Sequence, residues 1–214
     1  MGLPGVALRP YCSRMEIKTL FVTKLYRAPV AEIDLASVLK SCRAIASGDK
    51  AGQRWSKDNN YQGYTSYASL DDLPKRDPNF ASLKQALDKH AMAFARALHL
   101  DLSGRRLRLD SMWINVLEPG GVHTGHIHPQ SVLSGTYYVD VPDDASALKL
   151  EDPRHAMMMA APGRREDAPE SERTFVYVAP KAGETLMWES FVRHEVPMNA
   201  AKKPRISVSF NYAW

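Results

Sequence analysis

The sequence predicts an α+β protein in which a helical N-terminal third supports a C-terminal β-region. Apolar residues recur every three or four positions in the first part of the chain, and from Leu107 onward they alternate with polar residues. The later strands are short and are separated by Gly, Pro and Asn turns, a spacing typical of a β-sandwich or a jelly roll.

Composition excludes several classes of protein. The 214 residues are 44% hydrophobic and 24% charged, with 12 Gly and 14 Pro, unlike collagenous, disordered or disulfide-scaffold chains. No apolar run reaches the roughly 18 residues that cross a bilayer. The two cysteines, Cys12 and Cys42, form no CxxC motif, so we expect a cytoplasmic protein. The net charge of +4 comes from scattered basic residues and predicts no nucleic-acid or membrane partner.

The N-terminal region is expected to contain one strand and two helices. The strand is predicted around Thr19–Leu25. A first helix starts at Asp34, a suitable N-cap, and stops at Ser47–Asp49. The second helix begins at Pro78, because apolar residues then step by three and four as far as Leu98.

Alternation from Leu107 to Leu117 marks the first strand of the β-region. The further candidate strands are Val132–Val141, Leu148–Leu150, Thr174–Val178, Glu184–Glu189, His194–Val196 and Arg205–Tyr212.

We expect a single folded domain, because no linker or repeat divides the chain. Residues 1–14 are predicted to be an N-terminal appendage, and residues 15–214 the domain. Within it, residues 15–104 form a helical support region and residues 105–214 the β-core. The irregular segment 153–173 is too long for a hairpin connection and is predicted to be a surface loop.

Three of the seven histidines fall within six residues. In an extended chain His126 and His128 project from the same face and can reach one metal ion, whereas His123 has the opposite parity. A third ligand must come from elsewhere, and His194 at the start of a late strand is the natural candidate. Paired histidines near a glycine-rich turn can also be ordinary loop residues that face solvent.

The last strand alternates Arg, Ser, Ser and Asn with Ile, Val, Phe and Tyr. An arginine suits bidentate binding of a carboxylate, and Ser207, two residues after Arg205, would face the same anion. A hairpin turn over residues 199–203 would place Arg205 beside the strand of His194. The competing interpretation is a surface arginine on an exposed edge strand.

With these residues in place, the chain resembles the iron(II)- and 2-oxoglutarate-dependent oxygenases, specifically a bacterial and phage group related to prolyl hydroxylases. Three segments carry the resemblance in order: HIHPQSVLSGTYYV from His126, GETLMWESFVRHEVP from Gly183, and PRISVSFN from Pro204. Upstream, Gly63–Ser66 and Trp113–Asn115 also resemble the group, so the similarity runs from about Glu16 to the end of the chain.

The resemblance implies a double-stranded β-helix (jelly-roll, cupin-like) core with the N-terminal helices packed on its major sheet. It also implies that His126, His128 and His194 bind iron(II). His128 departs from the family pattern, in which an Asp or Glu usually stands at this position. An alternative is that Glu189 or Glu195 completes the site.

The same resemblance implies that 2-oxoglutarate is bound by Arg205 and Ser207 at its far end. Tyr138 matches a tyrosine that bonds to this co-substrate, Ser134 shares its strand face, and Asn115 would line the pocket. The implied activity couples the decarboxylation of 2-oxoglutarate, with O2, to the hydroxylation of an unidentified substrate.

We expect that substrate to be a small molecule or a peptide, and a homodimer is left open as the assembly. Tyr61, Tyr64 and Tyr67, together with Met157–Met159, would flank the entrance as a lid, although such side chains more often pack against a core. Two other functions remain open: a cupin-type three-histidine dioxygenase or isomerase without 2-oxoglutarate, and a non-catalytic module that binds metal or 2-oxoglutarate. A requirement for Arg205 would distinguish the 2-oxoglutarate-dependent activity from the first of these two functions.

Overall fold

The computed structural model describes residues 16–214, and this part of the chain contains three α-helices and ten β-strands. The predicted appendage over residues 1–14, with Cys12, lies outside the described residues. The helices are α1 (Leu35–Gly48), α2 (Lys50–Asp58) and α3 (Pro78–Ala97). The strands are β1 (Leu25–Pro29), β2 (Gly63–Thr65), β3 (Arg108–Leu117), β4 (His123–His126), β5 (Leu133–Asp140), β6 (Leu148–Glu151), β7 (Phe175–Val178), β8 (Glu184–Glu189), β9 (His194–Val196) and β10 (Arg205–Ala213).

The strands form two antiparallel sheets. The major sheet has the order β1-β8-β5-β10-β3-β2, and the minor sheet has the order β4-β9-β6-β7. The chain crosses repeatedly between the sheets, so strands that follow one another in sequence usually belong to different layers. This arrangement confirms the predicted α+β class and the jelly-roll core. It also extends the major sheet beyond residues 105–214, because β1 and β2 come from the helical support region.

The helices cover the outer face of the major sheet. The side chains of α3 that step by three and four, among them Phe80, Leu83 and Leu87, are fully buried in one cluster with Val208 and Phe210 of β10. The carboxylate of Asp77 accepts a hydrogen bond from the backbone N–H of Asn79 and caps α3. None of the helices within residues 16–214 is both long and apolar enough to cross a membrane.

The N-terminal region differs from the prediction in three ways: the bounds of the first strand, the presence of α2 and the presence of β2. The first strand is Leu25–Pro29 rather than Thr19–Leu25, because strand formation here depends on pairing with β8, in the register Leu25↔Trp188 to Pro29↔Glu184. Helix α2 was not predicted. Asp49 ends α1 and its carboxylate accepts a hydrogen bond from Gly52 N–H, so one residue closes the first helix and starts the second.

Candidate metal centre

The structure brings His126, His128 and His194 together between the two sheets. His126 and His194 are directly paired across β4 and β9, with ring centroids 4.3 Å apart. His128 follows β4 and is held by a hydrogen bond from its N–H to the carbonyl of Ser190, at 3.0 Å. One ligand atom from each of the three rings lies within 4.8 Å of the other two, a spacing at which they could hold one metal ion.

Hydrogen bonds prepare the rings of His126 and His194 as metal ligands, and His194 is also buried. The Nδ1 atoms of His126 and His194 lie 2.7 Å and 3.0 Å from the carbonyl oxygens of Thr124 and Val192. Each Nδ1–H donates to its carbonyl, which leaves the Nε2 lone pair available. Burial lowers the pKa of His194 to about 3, and the nearby His126 contributes to the shift. A neutral His194 is therefore favoured at neutral pH.

His128 has a different partner. Burial, with a further contribution from His126, lowers its pKa to about 4. Its Nδ1 lies 3.4 Å from Nδ2 of Asn211, whose Oδ1 accepts a hydrogen bond from Ser134 at 2.8 Å. If His128 is to bind a metal through Nε2, its Nδ1 must carry the proton and Asn211 must present Oδ1 to it. A flipped amide achieves this, because the Ser134 hydroxyl can accept as well as donate.

Neither of the alternative carboxylates joins this group within residues 16–214. The carboxylate of Glu195 accepts a hydrogen bond from the ammonium of Lys149 at 2.8 Å. Glu189 pairs with Leu133 at the end of β8, and burial raises the pKa of its carboxyl. The donor set around the candidate centre therefore consists of three imidazoles.

His123 also lines this cavity, contrary to the prediction from its parity. The pairing of β4 with β9 shifts register between His123 and His126, and a β-bulge of this kind changes which side chains share a face. The rings of His123 and His126 consequently stack with centroids 5.1 Å apart. Burial lowers the pKa of His123 to about 4, and the nearby His126 and Arg205 contribute to the shift.

The predicted neighbourhood of Arg205 is also wrong, although Arg205 does face the cavity. Strand β10 does not pair with the strand of His194. It lies in the centre of the major sheet between β3 and β5, while β9 belongs to the minor sheet. The segment after β9 crosses between the layers instead of forming a hairpin, so Arg205 and His194 line the same cavity from opposite sheets. Arg205 is only 4% exposed and is not a surface residue.

The polar face of β10 has the predicted alternation. Asn115, Ser207 and Tyr138 lie side by side on β3, β10 and β5. The ring of Tyr138 is buried 5.0 Å from the guanidinium carbon of Arg205. Ser207 lines the cavity. Asn115 also lines it, but its amide is already engaged, with Oδ1 accepting from Thr65 and Nδ2 donating to Ser209 at 2.8 Å and 2.9 Å.

Ser134 stands nearer to the histidines than to Arg205. Its hydroxyl lies 2.8 Å from the hydroxyl of Ser190 and 2.8 Å from Oδ1 of Asn211. These bonds connect β5, β10 and the loop that holds His128. Ser134 is thus placed to organise the histidine end of the cavity, rather than the arginine end where the resemblance had grouped it.

Several buried polar atoms around this cavity have no hydrogen-bond partner within the described residues. They are the hydroxyls of Tyr61 and Tyr138, Nε of Arg205 and Nε1 of Trp188. Arg205 also forms no ion pair with any residue of the range 16–214. A buried guanidinium without an anion is unfavourable. The cavity opens to solvent, and these unpartnered donors therefore suit an anionic ligand with several acceptor atoms.

The three tyrosines of the aromatic segment 61–67 lie in three different environments. Tyr61 lines the cavity, Tyr64 is buried in the helix-side core, and Tyr67 is 52% exposed and contacts Trp113 at 5.0 Å between ring centroids. Met157 and Met159 are 77% and 93% exposed. They do not pack against a core, and the lid remains a prediction. No local pattern separates Tyr61 from its neighbours, because its position depends on how β2 joins the sheet.

Comparison with known proteins adds to this geometry. Residues 111–211 match the family model described as "Putative 2OG-Fe(II) oxygenase". No curated protein matches the sequence.

Solved structures share the fold at low sequence identity. A prolyl-4-hydroxylase from Pseudomonas putida is 15% identical, with 89% of this chain and 92% of that chain covered and a TM-score of 0.59. The non-heme alpha ketoglutarate dependent epimerase SnoN from nogalamycin biosynthesis is 15% identical, with 88% and 78% covered and a TM-score of 0.60. HygX from Streptomyces hygroscopicus, solved with nickel and 2-oxoglutarate bound, is 15% identical, with 90% and 83% covered and a TM-score of 0.58.

The match covers the strands that carry the three histidines and Arg205, and the shared fold extends over the helical region. The resemblance inferred from the sequence motifs is confirmed: residues 111–211 match the family model of the 2OG-Fe(II) oxygenases, and solved structures of that kind share the fold.

Proposed function

We propose that this protein is an iron(II)-dependent oxygenase that couples the decarboxylation of 2-oxoglutarate to succinate and CO2 with hydroxylation of a small-molecule or peptide substrate. One observation carries the proposal: a single cavity has three metal-competent imidazoles and a buried arginine without an anionic partner. 2-Oxoglutarate has matching ends, a chelating 2-oxo acid and a free carboxylate. The family match favours the same two cofactors.

In this proposal His126, His128 and His194 hold the iron through ring nitrogens. When bound, iron(II) supplies coordination sites for the 2-oxo acid and for dioxygen. Carbonyl acceptors orient the rings of His126 and His194, and Asn211 orients that of His128. Because all three ligands are neutral, the metal keeps its full charge, which favours a dianionic co-substrate.

Arg205 binds the far carboxylate of the co-substrate. Its charge is already desolvated, so an anion that reaches it gains a strong charge-assisted hydrogen bond and relieves an unfavourable burial. Tyr138 of β5 supplies a second donor, and Ser207 of β10 is its direct cross-strand neighbour. Asn115 and Ser134 hold the walls of the pocket through the bonds described above.

The test is anaerobic reconstitution with Fe(II) and 2-oxoglutarate, followed through the metal-to-ligand charge-transfer absorption. We expect the wild-type protein to develop the band. Arg205→Leu should weaken 2-oxoglutarate binding by about 30-fold or more, since truncating a buried charge pair costs about 2–5 kcal/mol. The matched control is Arg154→Leu, an exposed arginine paired with Asp152, which should bind 2-oxoglutarate as the wild type does.

Three results would contradict the proposal. If Arg205→Leu retains turnover and succinate is never formed, a cupin-type reaction without 2-oxoglutarate is favoured. If both ligands bind but O2 is never consumed with any candidate substrate, the protein is a binding module. If the metal affinity depends on Glu189 or Glu195 but not on His128, the ligand set is wrong.

A further inference from the structure

Tyr61 is a half-buried residue with a buried hydroxyl near Arg205, and neither the sequence motifs nor the family match includes it. It lies outside residues 111–211, in the turn between α2 and β2. Its ring lines the cavity, and its hydroxyl is buried without a hydrogen-bond partner among the described residues. A phenol used only for packing would place its hydroxyl in solvent or against an acceptor.

The sheet register explains why Tyr61 is close to Arg205. Gly63 pairs with Leu117, and Leu117 pairs with Arg205, so the three residues form one row across β2, β3 and β10. The backbone fit is close, because a Cβ at Gly63 would lie 2.0 Å from the carbonyl oxygen of Val116. Tyr61 precedes this row by two residues, and its N–H donates to the carbonyl of Ser56 at 2.8 Å. Its backbone position is therefore fixed.

Two electrostatic effects act on the Tyr61 hydroxyl. Burial raises its pKa above the ordinary value, and the positive charge of Arg205 opposes the shift. The phenol therefore stays protonated at neutral pH and can donate a hydrogen bond. It cannot donate to a guanidinium, which has no acceptor atom. An anion bound to Arg205 would provide the missing acceptor.

His123 holds the ring of Tyr61 from the side. The two rings meet edge to face with centroids 5.7 Å apart, and His123 in turn stacks on His126. This contact limits the directions in which the phenol can point.

On the basis of the proposed function, we propose that Tyr61 is a positioning residue for the co-substrate and donates a hydrogen bond to the carboxylate that Arg205 binds. Together with the unpartnered hydroxyl of Tyr138, whose ring lies 5.0 Å from the guanidinium carbon, it gives that carboxylate two phenol donors. The helical support region thus contributes directly to the co-substrate pocket.

The experiment compares Tyr61→Phe with Tyr67→Phe, which changes an exposed tyrosine of the same segment. Anaerobic titrations of the Fe(II)-loaded proteins with 2-oxoglutarate give its dissociation constant from the charge-transfer band, and Co(II) titrations without 2-oxoglutarate give metal affinity. Tyr61→Phe should weaken 2-oxoglutarate about 10-fold or more, the usual effect of losing a hydrogen bond to a charged group. Metal affinity and melting temperature should stay unchanged, and Tyr67→Phe should bind 2-oxoglutarate normally.

The outcomes separate this inference from the proposed function. If wild type and Tyr61→Phe bind 2-oxoglutarate equally, the role of Tyr61 is wrong while the proposed function stands. If Tyr61→Phe weakens Co(II) and 2-oxoglutarate to the same extent, Tyr61 has a general structural role and the inference is also wrong. If the wild-type protein does not bind 2-oxoglutarate, the proposed function fails and this inference fails with it.

Discussion

The two faces of the major sheet differ sharply, and strand β10 shows both of them. Toward the helices it presents Ile206, Val208, Phe210 and Tyr212, all buried in the main core. Toward the minor sheet it presents Arg205, Ser207, Ser209 and Asn211, also almost inaccessible except for the half-buried Ser209. Both faces are enclosed, but only the first is filled with apolar side chains. One face supplies folding free energy, and the other keeps polar groups that packing alone would disfavour.

The sharpest test of this contrast removes a histidine from the inner face. His126→Ala should reduce Co(II) or Fe(II) affinity by more than the 10- to 100-fold typical of contacts outside the ligand set. The melting temperature of the metal-free protein should change little, because the ring supports no apolar packing. Calorimetric titration and thermal unfolding measure the two effects, with the exposed loop residue His155→Ala as control. Unchanged metal affinity would show that the inner face of the sheet does not bind the metal through His126.

A change on the outer face should have the opposite signature. Phe210→Ala removes a fully buried ring and should reduce the free energy of unfolding by about 3–5 kcal/mol. That ring occupies the space where a Cβ at Gly135 would lie, 2.5 Å from its atoms, so the vacancy forms next to backbone that cannot easily close it. Urea denaturation gives the loss, and Co(II) affinity below the transition should remain that of the wild type. A folded variant that loses metal would show that the two faces are not independent.

A smaller effect is expected from the residue that supports His128. Asn211→Ala removes the amide next to its Nδ1 and should weaken metal binding about 10- to 100-fold. Ser209→Ala, on the same face but bonded to Asn115 instead, serves as the control and should retain metal affinity. Titration with Co(II) compares the two variants. Equal affinities would mean that His128 needs no partner on β10.

The smallest expected effect is a pH dependence of the free energy of unfolding, and it originates in helix α3. His90 of α3 accepts or donates a hydrogen bond with Tyr26 of β1 at 2.8 Å, and burial lowers its pKa below 6.5. The unfolded chain therefore protonates His90 more readily than the folded protein does. The contribution of neutral His90 to the free energy of unfolding is present above pH 6.5 and is lost as the pH falls below that value. The slope from one group cannot exceed about 1.4 kcal/mol per pH unit.

His90→Gln should flatten this part of the stability profile, measured by urea denaturation between pH 7.5 and about 5 on the metal-free protein. A profile as steep as that of the wild type would assign the acid sensitivity to other groups.

The period-2 pattern of β10 and the helical pattern of α3 allowed both faces to be predicted from the sequence. Local periodicity is sufficient there, because α3 is one continuous helix and the side chains of β10 alternate between the two faces from Arg205 to Tyr212. It failed at His123, where a bulge in β4 changes the parity, and at Arg205, where the chain changes sheets between β9 and β10. Tyr61 depends on a pairing with residues about 55 positions away. Such features are set by tertiary contacts that a local pattern does not contain.

The solitary charge of Arg205 also has a consequence for how long the protein survives in a cell. Any small anion that neutralises it binds the native fold and not the extended polypeptide, so it protects against unfolding by about 1.4 kcal/mol when its concentration is ten times its dissociation constant. The cellular concentration of that anion would then help to set the abundance of the protein as well as its catalytic rate.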